Sequence, residues 1–117
     1  MKISEIRDLL DARVMTGEEI LDREVASACC SDMMSDVLAF VKEQAVLLTG
    51  LCNPQVVRTA EMMDIKAIVF VRGKMPEESI IELAEERKMI LMTTERPLYV
   101  ACGELYSGGL MGRSREA

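Results

Sequence analysis

The chain has 117 residues, half of them apolar, 29% charged and only 3% aromatic, with a formal net charge of −6, a pI near 4.7 and no histidine. That length holds one domain with one hydrophobic core. The acidic balance, the lack of a Lys/Arg cluster and the shortage of aromatic residues exclude a generic nucleic-acid binder, and no apolar run approaches the ~20 residues that cross a bilayer.

In chain order, residues 4 to 11 read as a short helix, with Ser4 placed to cap it and Ile6, Leu9 and Leu10 on its apolar face. Ala12 to Met15 reads as a brief strand, and Thr16-Gly17 as a turn into one helical turn over Glu18 to Leu21. From Glu24 to Cys30 small residues alternate without a polar face, which predicts a buried strand with Cys29 and Cys30 on opposite sides. These two cysteines, with Cys52 and Cys102, lack the paired spacing of a metal site, so all four read as small core residues and no metal or cofactor is expected. Ser31 and Asp32 are N-cap candidates for a helix in which Met33, Met34, Val37, Leu38 and Val41 share one apolar face. The methionine pair would suit an adaptable binding surface, although core packing explains it more simply.

A repeat follows. Apolar runs begin at positions 45, 67 and 89, an even spacing of 22 residues, and each leads through a polar loop to a proline, at Pro54, Pro76 and Pro97. The unit is strand, loop, helix, taken three times. Asn53 and Pro54 occupy cap and first-helical positions, with Val56, Val57, Ala60 and Met63 inward. The second helix opens on Pro76-Glu77-Glu78 and turns Ile80, Ile81 and Ala84 inward; the third runs from Leu98 to about Tyr106 and stops at Gly108-Gly109. Gly103 inside it costs roughly 1 kcal/mol relative to alanine, which predicts a close packing contact there.

These units predict a single α/β domain of three layers, with a mainly parallel sheet, over residues 1–112 and a flexible tail over 113–117. Right-handed crossovers bring the three loops to the carboxyl edge of the sheet, where open α/β sheets bind ligands. Thr49, Gly50, Asn53, Arg72, Gly73, Thr93, Thr94 and Arg96 converge there and offer hydroxyls, two guanidinium groups and helix-start N–H groups suited to a phosphate or nucleotide. The same residues also serve as ordinary turn and cap residues. No catalytic group stands out: histidine is absent, there is no GxSxG elbow, and Gly73-Lys74 lacks the upstream glycine of a P-loop, position 68 being Ile68. Met1-Lys2-Ile3-Ser4-Glu5 does not begin a signal peptide, so a cytoplasmic protein is expected.

The motifs Leu21-Asp22-Arg23-Glu24-Val25, Ser31 to Val37, Leu48-Thr49-Gly50 and Val71-Arg72-Gly73-Lys74-Met75-Pro76, in that order and spacing, resemble the small stand-alone DRTGG-domain proteins over residues 1 to 110. Phe70 to Leu110 is also similar to the amino-terminal domain of HPr kinase/phosphorylase. The resemblance implies a non-catalytic regulatory or adaptor domain that self-associates as a homodimer and acts on a partner enzyme of unknown identity. The alternative is a sensor that binds a small anionic or nucleotide effector at the carboxyl edge. The literal DRTGG string is absent, as is the CBS domain that accompanies it in regulated pyrophosphatases and is the part expected to take adenine nucleotides.

Overall fold

The computed structural model of the protein describes residues 1–40 and 44–110. Strands β3 (Ala45–Thr49), β4 (Ala67–Phe70) and β5 (Ile90–Thr93) stand where the even spacing predicts, and every residue in them is buried. They run parallel through the middle of a five-stranded sheet. At one edge β2 (Ser27–Cys30) lies parallel to β3; at the other β1 (Arg13–Thr16) runs antiparallel to β5, giving the order β1-β5-β4-β3-β2.

Alternate residues of each central strand feed opposite cores. Leu47, Ile68, Phe70 and Leu91 pack beneath α2 (Met34–Phe40), α3 (Pro54–Met62) and α4 (Glu78–Glu86), through Met34, Val37, Val56, Val57, Ala60, Ile80 and Ala84. Each of these helices links one strand to the next in the same lateral direction, so right-handed crossing puts all three on one face. Val46, Leu48, Val69 and Met92 pack beneath α1 (Ile3–Leu10) and α5 (Leu98–Ser107) on the other. The place beyond β5 is taken by antiparallel β1, so the third unit has no further parallel strand to reach and α5 crosses to the opposite face. The three-layer α/β expectation holds.

Local differences have physical causes. Ser4 does not cap α1 but is its second residue; the amide groups of Ile3 and Ser4 donate to the carbonyls of Arg23 and Leu21, and the Glu5 carboxylate accepts from Lys2 N at 2.7 Å. The strand expected over 24–30 shrinks to four residues because Val25 N donates to Met1 O instead of joining the sheet, and β2 is a half-buried edge. The helix after it buries Met34 and Val37 but leaves Met33 60% and Leu38 44% exposed, while Val41 lies outside the described residues. The tail expected over 113–117 lies outside them too. Asn53 caps α3 as expected, accepting from Val56 N at 3.2 Å. Gly103 makes no close contact: nothing stands within 4 Å of where its Cβ would be. Gly17, at φ +85°, is a different case, since a Cβ there would stand 2.9 Å from the Ile90 backbone at the turn leaving β1.

Candidate functional site

At the carboxyl edge four loops meet, one after each parallel strand. After β3, the Thr49 hydroxyl donates to Asp32 Oδ1 at 3.3 Å and accepts from Leu51 N, and Gly50 N donates to the same carboxylate oxygen at 2.6 Å. Asp32 sits two residues beyond β2, and the parallel register that pairs Cys30 with Leu48 carries Asp32 level with Gly50. After β4 the chain turns through Arg72 (φ 60°) and Gly73 (φ 69°), both left-handed. The Arg72 guanidinium then reaches back across Gly50 to Asp32 Oδ2 at 3.4 Å, and a side chain at position 50 would collide with it. The bond from Gly50 N is the main reason the Asp32 carboxyl is held below its ordinary value; partial burial pushes the other way and the Arg72 charge adds to the lowering.

The other expected residues form a second group between the last two loops. Arg72 N and Gly73 N donate to the carbonyls of Arg96 and Thr94, and the Thr93 hydroxyl donates to Lys74 O at 2.7 Å. The buried Thr94 hydroxyl donates to Leu10 O at 2.6 Å, where it satisfies a carbonyl at the end of α1, and accepts from Arg96 N. Arg96 itself pairs with Glu104 of α5 through Nε at 3.1 Å. Asn53 stays with the head of α3.

Thr49, Gly50 and Arg72 are thus brought together around Asp32, while Gly73, Thr93, Thr94 and Arg96 tie β4, β5, α1 and α5. Sequence reasoning placed Asp32 at a helix cap and missed its role as the acceptor that joins three loops. The signal that finds it is the β2–β3 register, which depends on tertiary pairing.

Two clefts lie at the opposite, amino edge of the sheet. One, of about 190 Å³, is lined by Arg23, Glu24, Val25, Gln44, Ala45, Asp64 and Lys66; the other, of about 260 Å³, by Gly17, Glu19, Glu85, Lys88 and Met89. Both are open and shallow, whereas at the carboxyl edge the donors of Thr49, Gly50 and Arg72 converge on the Asp32 carboxylate. Among the described residues no group of three His, Cys, Asp or Glu side chains is placed to hold a metal, and no helix is long and apolar enough to cross a membrane.

The cysteines depart from the expectation of four core residues. Cys30 of β2 and Cys102 of α5, both half-buried, are joined in a disulfide with Cα atoms 6.7 Å apart. Cys29 faces the other core, as the alternation predicts, and its thiol is pushed up by burial and then by Asp36; burial does the same to Cys52.

The DRTGG domain profile matches residues 5–103. No curated protein matches the sequence significantly. Among solved structures the chain is similar in fold to the CBS and DRTGG domains of the regulatory region of Clostridium perfringens pyrophosphatase, crystallised with its activator diadenosine tetraphosphate. The TM-score is 0.73 at 20% identity, over 89% of this chain and 45% of that one. The chain therefore spans about half the length of that structure.

Proposed function

We propose that the chain, which belongs to the DRTGG domain family, is a regulatory or adaptor domain that works as a homodimer on a partner enzyme and carries no chemistry of its own. The observation that supports this most is the state of the carboxyl edge. Its hydroxyls, backbone N–H groups and both guanidinium groups are engaged with one another rather than aimed at an open cavity. Among the described residues no buried side-chain nitrogen or oxygen is left without a partner, so no buried polar group is held ready for a substrate. In this role residues 1–112 act as one unit in the cytoplasm.

A second role, as a sensor of a phosphate or nucleotide, draws on Arg72. It is exposed, it lies beside the Gly50 N–H, and its ion-pair partner, Asp32, is a carboxylate that an incoming phosphate would replace. The regulatory region similar in fold was crystallised with a nucleotide activator.

Light scattering at micromolar chain, combined with calorimetric titration against phosphate, AMP, ATP and diadenosine polyphosphates, tests both roles. A dimer that gives no heat supports the adaptor role. Heat that disappears in Arg72→Ala supports the sensor, and a monomer that binds none of the four removes both.

A further inference from the structure

We propose that Cys30 and Cys102 are a reversible redox pair: as a disulfide they fix the Asp32–Arg72 contact at the carboxyl edge, and as two thiols they let it loosen. This goes beyond both roles proposed above and holds for either of them.

The bond closes a ring. Cys30 ends β2, and two residues further on Asp32 meets Arg72 at 3.4 Å. Arg72 N donates to Arg96 O at 2.9 Å, and the Arg96 side chain pairs with Glu104 through Nε at 3.1 Å. Glu104 stands two residues after Cys102 on α5, and the disulfide brings the path back to Cys30. The other contacts that close this ring are hydrogen bonds and ion pairs, which open and reclose by thermal fluctuation. The disulfide opens only by a chemical step.

That tie matters because β2 is held lightly elsewhere. It is a four-residue edge strand paired with β3 alone, and beyond Cys30 its ladder continues through one bond, from Ser31 N to Leu48 O at 3.1 Å. Short edge pairings of this kind open locally while the core stays folded. The same pairing places Asp32, so when the end of β2 opens, Gly50 N and the Thr49 hydroxyl lose the carboxylate to which they donate.

The partners are set by the fold. Cys29 and Cys52 pack on the opposite core, so neither can take the place of Cys30 beside Cys102. Both bonded cysteines are half-buried, which leaves them open to exchange with a small thiol or disulfide. In oxidation the thiolate of one cysteine attacks a small disulfide such as oxidised glutathione, forming a mixed disulfide and releasing one thiol. The second cysteine attacks the mixed disulfide and releases the other thiol, so the two protein thiols give up two electrons and two protons and the small disulfide becomes two thiols. Reduction runs the same steps backward.

The test equilibrates the wild type in glutathione buffers of graded redox ratio, alkylates under denaturing conditions and reads the number of free thiols by mass. Amide hydrogen exchange at Gly50 is then followed in the fully oxidised and fully reduced protein, in the period before the amides of β4 exchange, so that unfolding of the whole chain does not contribute. The expected result is a reversible passage between two and four free thiols, with Gly50 exchanging at least about tenfold faster when reduced. Cys102→Ser, which leaves β2 untouched, should keep its circular dichroism and show the fast Gly50 rate in every buffer. A pair that does not re-form once reduced, in any buffer, overturns the reversible switch. Equal Gly50 rates in the oxidised and reduced wild type overturn its link to the carboxyl edge and leave the bond a static crosslink.

Discussion

Arg72 and Asp32, 40 positions apart in sequence, meet at 3.4 Å across the bare backbone of Gly50, so one ion pair spans the loops after β2, β3 and β4. The two partners are not equivalent. Asp32 also accepts from Gly50 N and Thr49, whereas among the described residues the Arg72 guanidinium pairs with Asp32 alone, and its side chain is 43% exposed.

Asp32→Ala is therefore expected to cost about 1–2 kcal/mol, since it strips Gly50 N and the Thr49 hydroxyl, as well as Arg72, of their acceptor. Arg72→Ala removes a solvent-screened ion pair and should cost no more than about 0.5 kcal/mol. Urea unfolding of both variants checks the order, and equal losses would show that the pair itself, rather than the Gly50 bond, carries the stability.

The pH dependence has a definite sign. The folded Asp32 carboxyl titrates below its unfolded value, near 3.9 for aspartate. Its contribution is complete above that pH and is lost as pH falls through the folded value. The stability difference between wild type and Asp32→Asn should stay flat from about pH 8 to 5 and shrink below about pH 4, as followed by unfolding at each pH.

Thr94→Val keeps the shape of a buried side chain but orphans Leu10 O and removes the acceptor for Arg96 N. A loss of about 1–3 kcal/mol is expected. Hydrogen exchange should rise first at the end of α1; a uniform rise would mean that Thr94 does not anchor that helix.

Gly103→Ala, measured in chain dilute enough to be monomeric, should gain roughly 1 kcal/mol, because a methyl group there meets open space in a helix interior. A loss in thermal or urea unfolding would point to a neighbour that the fold does not show.

Reduction of the Cys30–Cys102 bond releases a crosslink between residues 72 positions apart. Oxidised wild type should be about 2–4 kcal/mol more stable than reduced, and Cys102→Ser should lose all sensitivity to dithiothreitol. Unfolding with and without reductant measures this directly.

The parts legible in the sequence are those set by neighbours along the chain. The buried strands at 45, 67 and 89 announce themselves as continuous apolar runs, and Asn53-Pro54 marks a helix start through its own cap chemistry. What stayed hidden depends on pairing across the fold. The role of Asp32 needs the β2–β3 register, the Cys30–Cys102 link needs α5 to lie over β2, and the first turn of α1 is satisfied by the distant carbonyls of Arg23 and Leu21, which made Ser4 unnecessary as a cap. Met33 and Met34 show the same limit, since adjacent residues of one type end on opposite sides of the burial boundary.

The mass of the chain in solution tests the central proposal most directly. Light scattering from micromolar to tens of micromolar chain should approach twice the 13.0 kDa of one copy. A wild-type mass that holds at a single copy across that range would contradict a domain that works as a pair.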